Sequence, residues 1–301
     1  MDNITLKQLR YFEAVARTRH FGKAADACAV SQPALSVQVR DLEETLGLAL
    51  LERGPRSVRL TSFGEAFLTR ARAILRDVDA LSDLARAAHD GLTGRLRLGV
   101  IPTIAPYLLP TVLPALSKAR PGIDVHIRET VTPRLVHELL DGKLDAAIVA
   151  LPLGEPALIE APLFDEDMVL VRPQADANAV IPTPDQLAAM RLLLLEEGHC
   201  FRDQALSFCN VGTGAREGLD GSALSTLVQM VGAGLGVTLI PEMAVPVEAR
   251  AASVDIARFA APAPQRSVGM VWRKTNPMAD HLAELAQIVA TFQPGKDPVR
   301  T

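Results

Sequence analysis

The chain has 301 residues, 49% of them hydrophobic, and a formal net charge of −4. It is too apolar and too nearly neutral for a disordered chain or a whole-chain nucleic-acid coat, and long enough for two or three domains. Three cysteines cannot staple a fold of this size, no apolar run reaches membrane-span length and the start carries no secretion signal, so the cytoplasm is expected, with no membrane partner.

Basic side chains outnumber acidic ones over residues 1–72, an asymmetry that hints at nucleic acid. Leu6, Leu9, Phe12, Val15 and Ala16 recur at helical spacing and predict a first helix. Phe21 to Ala27 reads as a second, alanine-packed helix and Cys28-Ala29-Val30 as a turn. Ser31 caps a third helix, Gln32 to Leu46, with Pro33 in its first turn and Gly47 at its end. Leu35, Val39 and Leu42 form the inner stripe of that helix. Gln32, Pro33, Ser36, Gln38 and Arg40 are then the candidates for base edges and phosphates. Leu50 to Thr61 reads as a two-stranded wing with a Gly54-Pro55 turn and three arginines, Arg53, Arg56 and Arg59. Such a row alone is as readily a solvated strand face; behind a helix-turn-helix it becomes a DNA contact. Cys28 reads as a small buried apolar residue of this bundle.

Ser62-Phe63-Gly64-Glu65 has the form of a capping box and opens a long helix to about His89. Phe67, Ala71, Ile74, Val78, Leu81, Ala85 and Ala88 alternate spacings of four and three, the repeat of a coiled coil. A dimer through this helix would carry two reading heads onto two-fold related half-sites.

After Gly91-Leu92-Thr93-Gly94 the pattern changes to alternating strands and helices, the order of a mostly parallel α/β sheet. Leu96 to Ile101, Ile123 to Glu129 and Ala146 to Ala150 are strands, with helices at Pro106 to Ala119 and Pro133 to Leu140. A second set has strands near Met168 to Val171, Leu192 to Leu195 and Val237 to Ile240, and a helix from Ser222 to Val231. Ser267 to Trp272 and a helix from Ala279 to Phe292 return to the first set. Two lobes joined by crossover strands make a cleft. Thr103 and Thr132 each follow a predicted strand, where ligands of such sheets sit. Capping of the next helix is an equal reading of both threonines.

Cys200 and Cys209 frame the remaining segment. If it is helical, nine residues put the two Cα atoms roughly 13 to 14 Å apart and about 180° around the axis. A disulfide needs about 4.4 to 6.8 Å, so these thiols join only if the helix between them melts. No second cysteine pair or histidine cluster completes a metal site.

The motifs Phe21-Gly22-Lys23-Ala24-Ala25, Val30-Ser31-Gln32-Pro33-Ala34-Leu35-Ser36 and Leu42-Glu43-Glu44-Thr45-Leu46-Gly47 resemble the winged helix-turn-helix of LysR-type transcriptional regulators, and the resemblance covers essentially the whole chain. Gly198-His199-Cys200-Phe201-Arg202-Asp203-Gln204-Ala205 with Phe208-Cys209, Ile101-Pro102-Thr103, and Leu224 to Val231 resemble the peroxide-sensing members of that family. The resemblance implies an N-terminal winged helix-turn-helix over residues 1–61, a linker and dimerisation helix over 62–90 and a two-lobed α/β regulatory domain over 91–301, similar to periplasmic binding proteins. Lobe I would take about 91–162 and 268–301, and lobe II about 163–267.

Functionally, the resemblance implies an activator of antioxidant genes that binds double-stranded promoter DNA, forms a dimer of dimers and works with RNA polymerase. Hydrogen peroxide would be sensed by Cys200 and resolved by Cys209, with Thr103, Thr132, His199, Asp203 and Arg202 around the peroxide. A thiol reductant such as glutaredoxin or thioredoxin would reset the switch. No metal, no cofactor and no enzymatic turnover are implied.

The residues agree with this assignment. Cys200 follows Gly198-His199 at a helix N-terminus, where the dipole, His199 and Arg202 favour a thiolate while Asp203 opposes it. Cys209 lies in an apolar setting without activating neighbours. Two other readings stand beside this one: a regulator of the same family that binds a small organic effector between its lobes, and a thiol peroxidase using the same Cys200 chemistry.

Overall fold

Thr5 and Gln8 exchange hydrogen bonds as a capping box, with the Gln8 amide donating to Thr5 Oγ1 at 3.2 Å, and so start α1 (Leu6–Thr18). With α2 (Phe21–Ala27) and α3 (Gln32–Leu46), α1 encloses a core of Phe12, Val15, Leu35, Val39 and Leu42. Ser31 caps α3 by accepting from the Ala34 amide, and Gly47 ends it at φ 64, as the sequence predicts. In this computed structural model the described residues are 4–53, 58–87, 94–209, 220–250 and 252–292, and the chain divides into two units, Met1–Asp83 and Leu84–Thr301.

The wing consists of β1 (Leu51–Arg53) paired antiparallel with β2 (Val58–Leu60), Glu52 standing opposite Arg59. Glu43 of α3 anchors it by accepting from the Leu50 and Leu51 amides at 2.9 and 3.0 Å. The expected turn at Gly54-Pro55 lies outside the described residues. Helix α4 (Ser62–Ala87) follows, but its cap is not the expected Ser62. Thr61 Oγ1 accepts from the Gly64 amide at 2.9 Å and donates to the Ala49 carbonyl at 2.8 Å. This second bond ties the cap to the wing, which is why the chain turns helical one residue earlier than Ser62-x-x-Glu65 suggests.

The second unit is built on one seven-stranded sheet. Strands β3 (Gly94–Val100), β4 (Ile123–Glu129) and β5 (Ala146–Leu151) are joined by helices α5 (Ala105–Ala119) and α6 (Thr132–Leu140) and run parallel. Then comes β6 (Leu158–Pro173), which is much longer than the expected Met168 to Val171. Its residues 158–167 pair with β11 (Gln265–Arg273), and its residues 168–173 pair with β9 (Thr238–Pro241) and β10 (Val254–Arg258). All of these pairs, and β11 with β5, are antiparallel, so the sheet is mixed rather than mostly parallel. The reason is topological: β6 leaves the first lobe and β11 returns to it, and an outgoing and a returning strand side by side run in opposite directions.

Between these crossings lie α7 (Pro184–Ala189), β7 (Leu194–Leu195), α8 (Cys200–Phe208), β8 (Asp220–Gly221), α9 (Leu224–Gly232) and α10 (Val245–Glu248). They enclose a second core around Leu170, Leu193, Leu227, Val231 and Ile240. The first core holds Leu98, Val100, Leu116, Leu135 and Ile148, closed by Leu282, Leu285 and Val289 of α11 (Ala279–Ala290). Tyr107 and the Met243-Ala244 step help to join the lobes. Tyr107 of α5 packs against both cores and donates to Glu248 of α10 at 2.8 Å; burial and this carboxylate push its phenol up, so it stays a donor. Met243 enters the first core while Ala244, next in the chain, enters the second.

Gly64 fixes the junction of wing and α4, because a Cβ there would stand 2.1 Å from the Leu50 carbonyl oxygen. Gly64→Ala should therefore destabilise the first unit by about 1–3 kcal/mol. Gly47→Ala, where a Cβ meets nothing within 4 Å and only the left-handed backbone is strained, should cost about 1 kcal/mol. Denaturant unfolding of the two variants checks the order.

Candidate functional site

The short strand β7 leads to Gly198, whose φ of +93° is a backbone region that suits glycine, and the chain turns there into α8. His199 is the N-cap residue and its side chain makes no cap hydrogen bond, so Cys200 takes the first helical position at an amide end that the cap residue's side chain leaves open. Phe201, Ala205 and Leu206 are buried and hold the helix to the second core. Cys209 follows the helix and is fully buried in that core, whereas half-buried Cys200 packs against the first. The thiols thus stand at opposite ends of α8 and in different cores, at a helical separation of roughly 13 to 14 Å.

Cys200 lines a small, tightly closed pocket. Ile101, Pro102 and Thr103 contribute from the carboxyl end of β3, Val131 and Thr132 from the start of α6, and His199 and Phe201 from α8. Neither threonine caps a helix. The hydroxyl of Thr132 is buried with no hydrogen-bond partner among the described residues, and Thr103 Oγ1 accepts from Arg266 Nη1 at 2.9 Å. One hydroxyl is therefore held by a donor and the other is free, a pair suited to a small ligand that both donates and accepts.

Arg266 and Glu166 were not among the expected site residues. They form a buried ion pair on the two crossover strands, Arg266 Nε donating to Glu166 Oε1 at 2.6 Å. Arg266 Nη2 donates to the Thr103 carbonyl at 3.0 Å, and its guanidinium lies 5.4 Å from the Phe201 ring centre. The available signal was a charge interrupting each apolar strand, which sequence alone does not separate from a solvated edge.

Three of the expected contributions are different in the structure. Arg202 does not line the pocket: its Nη1 donates to the Leu195 carbonyl at 2.7 Å and pairs with Asp220 at 2.9 Å. Asp203 is exposed on α8 and does not line it either. His199 does line it, but burial holds its imidazole below the usual histidine range, so near neutral pH it supplies no positive charge to a thiolate. What faces Cys200 is the amide end of α8. Cys28 is half-buried in the first unit, and burial pushes its thiol up, in keeping with an inert apolar role. Among the described residues no group of three metal-type ligands occurs, and no helix is long and apolar enough to cross a membrane.

On the first unit, Gln32, Pro33 and Arg40 are exposed on α3 and Ser36 is half-buried, while Gln38 spends its amide on Asp41 at 3.2 Å. Arg59 is exposed on β2. Arg53 ends β1, its side chain lying outside the described residues, as does Arg56 altogether. Along α4, Phe67 packs edge-on against Phe12 at 5.6 Å and Ala71 is buried, so the first part of the repeat belongs to the head's own core. Farther on, Val78 is half-buried, and Ile74 and Leu81 are 46% and 64% exposed, an apolar stripe along the helix. The side chain of Ala85 lies outside the described residues.

Residues 6–65 match the model of the bacterial regulatory helix-turn-helix proteins of the lysR family, and residues 89–293 that of the LysR substrate binding domain. The chain is 40% identical to the DNA-binding transcriptional dual regulator OxyR of Escherichia coli, over 97% of each protein. Its fold is similar to a full-length OxyR cysteine-to-aspartate variant from Pseudomonas aeruginosa, with a TM-score of 0.75 and 36% identity over 98% of this chain and 99% of that one. It is also similar to a hydrogen-peroxide-bound OxyR cysteine-to-serine mutant from Corynebacterium glutamicum, with a TM-score of 0.64 and 36% identity over 96% of this chain and 92% of that one.

The unpaired hydroxyl of Thr132 carries a desolvation cost of about 1–3 kcal/mol without return. Thr132→Val should leave the melting temperature unchanged or raise it while slowing reaction of Cys200 with a small oxidant; a calorimetric scan beside a thiol-oxidation time course separates the two effects. Folded His199 resists protonation, whereas the unfolded chain protonates it near pH 6.5. Its stabilising contribution is therefore complete above that pH and is lost as pH falls. Between pH 7.5 and 5.5, His199→Gln should lose less stability than the unsubstituted chain, as read from denaturant midpoints.

Proposed function

Because the chain belongs to the LysR family of bacterial helix-turn-helix regulators and matches OxyR proteins along nearly its whole length, we propose that it is a DNA-binding transcription factor that senses hydrogen peroxide through Cys200 and activates antioxidant genes. The observation that carries this reading is the pocket in which a half-buried thiol, at the first position of a helix, meets Thr103 beyond the end of β3 and Thr132 at the start of α6.

The chemistry follows from that placement. The Cys200 thiolate attacks one peroxide oxygen: an S–O bond forms, the O–O bond breaks, and the departing hydroxide takes a proton to become water. The Cys209 thiol then attacks the sulfenic sulfur: the S–S bond forms, the S–O bond breaks, and the hydroxyl leaves as a second water with the proton given up by Cys209. Sulfur is oxidised, and peroxide is reduced to water. Thr103 and Thr132 hold the peroxide, with His199 at the wall.

The second step needs α8 to unwind, and at nine residues the helix is too short to persist on its own propensity. What resists unwinding is burial of Phe201 and Leu206, about 1.5–3 kcal/mol each, and the edge-on contact of Phe208 with Phe259 at 5.2 Å. Disulfide formation thus displaces packing of the second lobe, the change that would reach DNA. The outward residues of α3 and the wing arginines meet the promoter. The apolar stripe of Ile74, Val78 and Leu81 supports a dimer through α4, and a dimer of dimers, contact with RNA polymerase and reset by a cytoplasmic thiol reductant of glutaredoxin or thioredoxin type complete the reading. Cys200 acts once per reset, as a switch rather than an enzyme.

Limited peroxide should produce a Cys200–Cys209 disulfide by mass spectrometry, and Cys209→Ser should stop at sulfenic acid. DNA footprints of the reduced and oxidised protein at one promoter should differ. A Cys200→Ser chain that still answered peroxide would overturn the assignment and favour a small organic effector.

A further inference from the structure

We propose that Glu166 is a positioning residue for the reaction of Cys200 with peroxide, acting through Arg266 on the hydroxyl of Thr103. The inference rests on the peroxide-sensing reading and adds a residue that neither lines the pocket nor reaches a reacting atom.

A threonine hydroxyl can donate one hydrogen bond and accept two. Arg266 Nη1 donates to Thr103 Oγ1 at 2.9 Å and Nη2 to the Thr103 carbonyl at 3.0 Å, so the threonine is gripped at both of its oxygens. With a lone pair of Oγ1 committed to a cation and no acceptor for its proton among the described residues, the hydroxyl is left to donate to whatever occupies the pocket it lines. That polarity matters for peroxide. Negative charge develops on the departing oxygen as the O–O bond breaks, and a fixed donor aimed at developing charge stabilises the transition state more than the ground state.

The grip is only as firm as the guanidinium. The Arg266 side chain is fully buried, so its charge needs a partner in place. Glu166 is that partner, taking Nε of Arg266 on Oε1 at 2.6 Å, while its Oε2 accepts from the Met243 amide at 3.2 Å. Each carboxylate oxygen is thus occupied by a different element, β11 on one side and the 3-10 turn Glu242–Ala244 on the other. The guanidinium lies over the Phe201 ring, 5.4 Å from its centre. Glutamate suits the position because both of its oxygens accept. A glutamine of the same shape must turn its NH2 toward either Arg266 or the Met243 amide, both of which are donors, and one of the two links must break.

The test compares two reactions of the same sulfur. Peroxide needs hydrogen-bond support for a departing oxygen, whereas iodoacetamide releases iodide, which needs none. In full-length Glu166→Gln, the second-order rate constant of Cys200 with hydrogen peroxide should fall roughly tenfold to a hundredfold, the scale of a misplaced catalytic contact. Alkylation by iodoacetamide at the same pH should stay within about threefold, the margin that leaves the peroxide effect legible. Equal slowing of both reactions would mean a purely structural role and would overturn the proposal, as would an unchanged peroxide rate. If Glu166→Gln fails to fold, the double variant Glu166→Met/Arg266→Met exchanges the buried pair for apolar side chains, a replacement that is often neutral for stability. It retains Thr103 without its grip, and the same peroxide-selective loss is expected; wild-type peroxide reactivity in it would sink the idea. An unsubstituted Cys200 no faster with peroxide than free cysteine would instead defeat the sensing reading itself.

Discussion

Two thiols stand at opposite ends of one short helix, each packed toward a different core, and cannot meet while that helix stays wound. While α8 stays wound, Cys200 reaches the pocket beside β3 and α6, and Cys209 is sealed beneath the second lobe. The bond that would join them demands an approach of several ångströms that helical geometry forbids. A stable disulfide and a stable α8 therefore exclude one another, and a covalent event is converted into a choice between two packings. The helix is short enough that packing alone decides which one persists.

The placement of that helix relative to the pocket is governed by the crossover strands. β6 and β11 run side by side from one lobe to the other, and at their crossing they bury a glutamate and an arginine that each touch both lobes through their partners. Such a pair offers modest net stability, because desolvation offsets most of its attraction. Its geometric effect is larger: Thr103 of the first lobe and Met243 of the second become neighbours of one ion pair. The Tyr107 to Glu248 hydrogen bond lies on the same side of the second lobe, since Met243 and Glu248 belong to one short segment. The pocket is bounded by elements of both lobes, so movement of α8 cannot leave the crossing undisturbed.

Much of this was legible residue by residue. The caps Ser31 and Gly47, the inner stripe of α3 and the strands around Leu98, Val125 and Ile148 follow from local patterns, because capping, turn chemistry and apolar periodicity are short-range. Thr103, Thr132, His199 and Cys200 as pocket neighbours follow instead from the family resemblance, since no local pattern joins positions so far apart in the chain. Misreadings came where a distant contact outweighed a local one. Thr61 rather than Ser62 caps α4 because Ala49 holds its hydroxyl. Arg202, a plausible neighbour of Cys200 by sequence, turns to Asp220 because that strand end offers an acceptor. His199 loses its expected charge to burial, which no linear pattern displays.

The order of elements, the reading head, the repeat along α4 and the incompatibility of the cysteine spacing with an intact helix are written into the linear chain, since each depends on residues within a few turns of one another. Tertiary structure alone decided that β6 runs through both lobes, that Arg266 grips Thr103 across 163 positions of chain, and that the two thiols face different cores. Those outcomes depend on which surfaces close over one another and exclude water, and burial of that kind is a property of the assembled sheet and not of any stretch of chain.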